Sequence, residues 1–232
     1  MSGVHTAAIR RAIRQNALGL FFGTIFLAAL IGQSFAGWSV FNDTQTAEGL
    51  DPIGWLEYVT SSSFTADVAE NWQSEYLQFL LYIWATVWFV QRGSPESKEA
   101  DQTGLESDAD QEVGPHAGPR SPRWAAVGGL RRAVFSHSLL LVMGGVFVAS
   151  WAAQSAAGVV AHDEQQLLDL EAPVTWVQYV GSADFWNRTL QNWQSEFLAV
   201  GSMAVLSVFL RERGSPESKP VGAAHDDTGA AG

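Results

Sequence analysis

Glu75 and Glu196 each close the pentapeptide Asn-Trp-Gln-Ser-Glu, which runs from Asn71 to Glu75 and again from Asn192 to Glu196. A carboxylate with an amide oxygen and a hydroxyl (Asn71 and Ser74, or Asn192 and Ser195) within one helical turn supplies the oxygen donors that a hard cation takes. The same carboxyl could pass a proton, because an ionisable group at a membrane segment is by default a hypothesis of function. Gln33-Ser34 and Gln154-Ser155 end two other apolar runs and would complete the polar cluster. The plainer reading makes these contacts structural. Glu75 bonds to Gln33 and Ser34, Glu196 bonds to Gln154 and Ser155, and Trp72 and Trp193 point outward at headgroup height. Polar contacts of this kind between helices in lipid contribute only about 1 kcal/mol each.

Other chemistry has less to stand on. His5, His116, His137, His162 and His225 are scattered and none recurs between the two motifs. The chain contains no cysteine, which excludes disulfides and cysteine metal sites. It has no glycine-rich phosphate loop and no nucleophile, base and acid at workable spacing. Neither catalysis, a resident metal nor a cofactor is expected. Basic residues are not interleaved with aromatic ones, which argues against nucleic acid.

The two motifs belong to a larger repeat. At a constant offset of 121 positions, residues 10–98 and 131–219 share 33 identities in 89 pairs without a gap. The matches include Pro52 with Pro173, Trp55 with Trp176, Tyr58 with Tyr179, and Arg-Gly-Ser-Pro-Glu-Ser-Lys from Arg92 to Lys98 and from Arg213 to Lys219. One two-helix unit has been written twice.

Each unit holds two apolar runs. Residues 17–36 and 138–161 carry no charge and are long enough to cross roughly 30 Å of hydrocarbon at about 1.5 Å per residue. Residues 76–90 and 197–210 are shorter, and reach spanning length only if each pentapeptide enters the interface. The rival, buried helices of a soluble protein, leaves too little polar sequence to cover four such runs. Twelve of the thirteen Lys and Arg fall before the first run, between the second and third, or at the end of the fourth, and only Arg188 lies elsewhere. Lys and Arg bias, rather than the net charge of -11, orients the chain. Both termini and the central linker are therefore expected in the cytoplasm.

In order, residues 1–16 read as a basic cytoplasmic arm, 17–98 as the first repeat, 99–130 as a disordered acidic linker, 131–219 as the second repeat, and 220–232 as a disordered tail. A cleaved signal peptide is the alternative for the first run. That run is long for such a segment, and it has an aligned copy in mid-chain. In the loop after each odd-numbered span, Pro52 and Pro173 precede Trp55 with Tyr58 and Trp176 with Tyr179. This spacing predicts a short interfacial helix with its aromatic side chains at the headgroups; a substrate lid is the rival. Ser61 to Ser63 can cap a helix running from about Phe64 to Arg92, which Gly93 would stop. Small residues on the first and third spans, Gly19, Gly23, Gly144 and Gly145 among them, would let helices approach closely.

The order Gly-Gln-Ser-x-Ala-Gly-Trp from Gly32 to Trp38, then Asn-Trp-x-Ser-Glu, then Arg-Gly-Ser-x-Glu-Ser-Lys resembles a family of bacterial integral membrane proteins classed only as a domain of unknown function. The resemblance covers both repeats. It implies a duplicated pair of membrane helices and no stated activity. The second copy departs from the pattern, with Ala153 and Val159 in place of the flanking Gly and Trp.

The expected fold is thus an all-α membrane protein with four transmembrane helices, near 17–37, 72–91, 138–158 and 193–211. They form a four-helix bundle of two parallel two-helix repeats, in the inner or plasma membrane. The expected role is non-catalytic, with the lipid bilayer as surroundings and a cytoplasmic protein partner at the segments 92–98 and 213–219. The alternative is a small ion or proton channel or transporter using Glu75 and Glu196. A homo-oligomer is compatible with either.

Overall fold

The computed structural model describes residues 2–229; Met1 and the last three residues of the predicted tail lie outside the described residues. Among the described residues all regular structure is helical. It comprises α1 (Ser2–Gln15), α2 (Ala17–Ala47), α3 (Trp55–Val59), α4 (Ser62–Trp88), α5 (Arg123–Ala126), α6 (Leu130–Ser136), α7 (Ser138–Leu168), α8 (Trp176–Val180) and α9 (Ala183–Phe209). Two of these, α2 and α7, are long and apolar enough to cross a membrane. The chain divides into two units, Met1–Thr65 with Asp163–Pro173, and Ala66–His162 with Val174–Gly232. The division cuts across the sequence repeat, so α4 and α7 each begin in one unit and end in the other.

In the first unit α2 is a 31-residue helix with no capping side chain, and the five-residue α3 folds back onto its outer half. Asn42 directs that return by gripping the chain at Ile53. Its Nδ2 donates to the Ile53 carbonyl at 3.0 Å, and its Oδ1 accepts from the Ile53 N–H at 2.9 Å. The Trp38 indole donates to the same carbonyl at 2.7 Å. Trp55 then donates to Ser34 Oγ at 3.1 Å and stacks on Phe35. Tyr58 packs into the notch at Gly37, where an added Cβ would collide with the phenol oxygen. Ser61 Oγ accepts from the Phe64 N–H and starts α4.

The second unit repeats this arrangement on α7, α8 and α9. Trp176 donates to Ser155 Oγ at 3.1 Å, Tyr179 fills the notch at Gly158, and Ser182 Oγ caps α9 by accepting from the Phe185 N–H. Here α8 adds a capping box, with Thr175 and Gln178 bonding reciprocally. Tyr58 and Tyr179 are only 3% and 2% exposed. The sequence places these rings at the headgroups. They instead close the turn, and the outward face of the two short helices belongs to Leu56 and Val177. The notch accounts for the difference, since a glycine one turn beyond the serine leaves room for the ring that the Trp bond brings down.

The C-terminal ends of the second long helix in each repeat also differ from expectation. Helices α4 and α9 stop at Trp88 and Phe209, four residues before the predicted stop. The Val87 carbonyl that would continue α4 accepts instead from the Gly104 N–H at 2.8 Å, and the Gln91 N–H is taken by Ser97 Oγ at 3.0 Å. Glu212 and Ser218 repeat the second contact at 2.9 Å. Gly93 and Gly214, with φ of 85° and 84°, lie in the turn that follows. The acidic linker, expected to lack structure, is laid down as turns, two single-turn 3-10 helices, Ala100–Gln102 and Gly114–His116, and the four-residue α5. It is pinned by Lys98 to Glu106 and by Arg132 to Asp108. Local turns and ion pairs order it without an apolar core.

The notch generates a prediction. Gly158→Ala should lower stability by roughly 1–3 kcal/mol, because an overpacked contact must displace a fully enclosed ring. Gly145→Ala, which meets nothing within 4 Å, should be neutral or slightly stabilising. Thermal melts of both variants in detergent micelles separate the two outcomes.

Candidate polar seam between the helices

The second unit brings the pentapeptide helices together along a line of polar residues. Asp67, Glu70 and Gln73 recur every third residue on α4, so they share one face. Opposite them on α9 are Arg188, Asn192 and Trp193. At the outer end Arg188 Nη1 lies 3.1 Å from Glu70 Oε2 and 3.9 Å from Asp67 Oδ1, and its Nε lies 4.0 Å from Asp184. His162 Nδ1 stands 3.9 Å from Asp184 on the other side. Asn192 Nδ2 donates to the second oxygen of Glu70 at 2.9 Å. Asp67 and Arg188 occupy equivalent positions in the repeat, 121 residues apart. The duplication has placed an acid in one copy against a base in the other.

Burial pushes the Glu70 carboxyl above the usual carboxylate range, and the neighbouring Asp67 adds to this; the Arg188 charge and its hydrogen bond offset only part of the effect. Asp67 is raised for the same first reason, again opposed by Arg188. For Arg188 burial alone would favour loss of the proton, but Glu70, Asp184 and Asp67 together outweigh it and hold the guanidinium charged.

Further along the seam the groups are neutral and more enclosed. The Trp193 indole donates to Gln73 Oε1 at 2.7 Å, which fixes the Gln73 amide because an indole N–H can only donate. Gln154 on α7 reaches Thr189 Oγ1 at 3.4 Å. Gln73, Gln154 and Thr189 are all within 1% of complete burial. Trp151 contributes a ring stacked on Phe185 and tilted against Trp193, and its own N–H has no partner among the described residues. Gln73 Nε2 and Gln154 Oε1 are likewise buried and unbonded there. This core therefore has two donors and one acceptor to spare.

The predicted site residues distribute as follows. Ser34 and Ser155 receive the Trp55 and Trp176 indoles rather than a glutamate, and Gln154 turns to Thr189. Glu196 does not reach Gln154 or Ser155. It stands seven residues beyond Thr189, about 10 Å further along the helix axis. Ser74 and Ser195 bond back to the carbonyls of Asn71 and Asn192 in their own helices. Asn71 donates to the Asp67 carbonyl. Trp193 is turned inward onto Gln73, whereas Trp72 is 40% exposed. Gln33 is exposed. Glu75 is exposed and Glu196 half-buried. Asp67, Glu70 and Arg188 carry the densest charge contacts, yet sequence reasoning did not select them. The isolation of Arg188 among the loop residues was the one available signal.

The seam predicts unequal mutant effects. Arg188→Leu leaves two half-buried carboxylates without a cation and should cost about 1–3 kcal/mol, at the lower end because the pair is partly solvated. Glu70→Gln keeps the contact to Asn192 and should cost less, because burial already disfavours the charged form. Raised carboxyl pKa values mean that the folded state holds protons more readily than the unfolded one. Their contribution is present below the unfolded carboxylate pKa and is lost as pH rises through the folded values. Melting temperature in micelles should therefore fall modestly on going from about pH 5 to pH 7, and Glu70→Gln should flatten that slope.

Comparison with curated proteins and comparison with solved structures each give no match. A family model described as Domain of unknown function (DUF6766) matches residues 9–230, and the chain belongs to that family.

Proposed function

We propose that the chain is an integral membrane protein with four spans, α2, α4, α7 and α9, that acts by binding rather than by catalysis. The observation that carries the membrane reading is the exposure of apolar side chains all round α2. Leu18, Leu20, Phe21, Phe22, Ile25 and Leu27 face outward on every side of the helix. The most apolar stretch of α2 is only 6% buried and that of α7 only 17%. A core helix of a soluble protein would be mostly enclosed, and a helix apolar on all faces belongs in lipid. Helices α4 and α9 have 27 residues each, about 40 Å of length, which exceeds the roughly 30 Å of hydrocarbon. Of their charged residues, Asp67, Glu70, Asp184 and Arg188 lie before the predicted spans, and Glu75 and Glu196 lie within four residues of where the spans begin.

Two spans per repeat return the chain to its starting side, so the copies are parallel and both termini and the linker are cytoplasmic. The structural reading of the pentapeptide is favoured by the bonds from Trp193 to Gln73 and from Asn192 to Glu70, which spend its side chains on joining α4 to α9. Binding would take place at the cytoplasmic Arg-Gly-Ser-Pro-Glu-Ser-Lys segments. Reporter fusions after Lys98 and after Lys219 should be active only on the cytoplasmic side; a periplasmic signal at either would refute the topology.

A second reading rests on the recurrence of one glutamate at the end of each pentapeptide, Glu75 and Glu196. Two carboxylates in one leaflet could take up a proton or cation. Reconstituted vesicles should show no ion or proton flux above empty vesicles. A flux that disappears in the Glu75→Gln, Glu196→Gln double variant would replace the binding reading with transport.

A further inference from the structure

The two heptapeptides are identical in sequence, yet the structure treats them differently. Gly93, Ser94 and Pro95 are buried, whereas Arg213, Gly214 and Pro216 are exposed. The cover on the first copy is the tail of the same chain. The Gly93 N–H donates to Thr228 Oγ1 at 2.9 Å, the Gly229 N–H donates to the Ser94 carbonyl at 3.0 Å, and Arg92 pairs with Asp226 at 3.3 Å. The His225 carbonyl lies against Gly93 so closely that a Cβ there would collide with it. Arg-Gly-Ser is thus seen holding Asp-Asp-Thr-Gly by an ion pair and two hydrogen bonds that use its backbone.

In the second copy Gly214 keeps the same left-handed backbone, with φ of 84° against 85° at Gly93. Space for a Cβ is open there, and among the described residues nothing bonds to the Gly214 N–H. The donor, the carbonyl of Ser215 and the Arg213 charge are presented as in the occupied twin, without an occupant.

We propose that Arg213-Gly214-Ser215 takes the Asp226–Gly229 tail of a second copy of this chain, which deepens the binding reading above and rests on it. Because the two sites have the same sequence, moving Asp226–Gly229 from its own first motif to a neighbour's second motif replaces the ion pair and the two backbone bonds with like ones, and the Lys219 bonds to Ala224 and His225 lie outside the exchanged segment. The balance is then set by how many chains are close together, as in exchange of an identical element between protomers. The chain has a second Asp-x-Thr-Gly segment, Asp101 to Gly104, but its Gly104 N–H is committed to the Val87 carbonyl and cannot make the bond that Gly229 makes. The tail is the better occupant.

The test measures self-association of the full chain in density-matched detergent by sedimentation equilibrium. Wild type should associate with rising protein-to-detergent ratio. Arg213→Glu should weaken association roughly three- to tenfold by reversing the charge that meets Asp226. Arg92→Glu, which releases the tail from its own chain, should strengthen it, and a chain ending at Gly222 should be monomeric. Both arginines are exposed, so circular dichroism should show unchanged helix. The exchange of charge in Arg213→Glu with Asp226→Arg should restore association. Association that survives both Arg213→Glu and tail removal overturns the proposal, as does a monomer at every ratio in wild type and Arg92→Glu. Loss with Asp101→Lys but not with tail removal would assign the site to the linker instead. These outcomes leave the membrane topology untouched, so failure here is distinguishable from failure of the four-span reading.

Discussion

The hydrogen bond from a tryptophan indole to a serine one helix away, Trp55 to Ser34 and Trp176 to Ser155, determines where the loop after each of α2 and α7 meets its helix. A helix rich in apolar residues offers few polar points to which a loop can return, and Ser34 and Ser155 are buried ones on α2 and α7. Once the indole is bonded there, the tyrosine three residues on comes down one turn further along, where Gly37 or Gly158 leaves a notch. The serine that caps the next helix follows three residues after the tyrosine. A single anchoring contact therefore fixes the start of α4 in one unit and of α9 in the other, and with it the register of their polar faces.

The register explains why the seam uses unlike residues at like positions. Two equivalent helices brought side by side place equivalent positions near one another. An identical carboxylate on both would repel, whereas Asp67 facing Arg188 attracts. Glu70 likewise meets Asn192 and Arg188 rather than a second carboxylate; its counterpart in the repeat is Gln191. At the charged end of the seam the copies differ, where identity would have put like charge against like.

Much of this was legible in the sequence and some of it was not, for physical reasons. The constant offset, the serine cap within Ser61 to Ser63, and the existence of the long helices α2 and α7 depend on local spacing, and local spacing is what a sequence displays. The partners of Gln154, Ser155 and Glu196 depend on helix rotation and on how far one helix slides along another. A slide of two turns separates Glu196 from the glutamine expected to meet it and gives that glutamine to Thr189 instead. The burial of Tyr179 was missed because an aromatic pair three residues apart has the same spacing whether it faces headgroups or a glycine notch. The helix stop was misplaced because Gly93 looked sufficient, while the deciding acceptor, Ser97 Oγ, lies six residues beyond the amide it captures.

The same capture accounts for most of the heptapeptide. Its glycine takes the left-handed turn, its second serine satisfies an amide freed where the helix ends, and its lysine closes the segment that follows. Lys98 donates to the Gly104 carbonyl six residues on, and Lys219 donates to the His225 carbonyl at the same separation and to those of Ala224 and Asp227. Lys219 is 1% exposed, and removal from water lowers its hold on the proton, with the nearby Arg211 acting in the same direction. Three carbonyl acceptors keep an ammonium so enclosed from being left unpaired, which would cost several kcal/mol. Lys98 is less enclosed, makes one carbonyl contact and pairs with Glu106. The glutamates belong to a different contact. Glu96 accepts from the Tyr82 hydroxyl, and its carboxyl beside Glu217 raises the Glu217 carboxyl above its usual range. The seven identical residues thus work as clips that close their own loops.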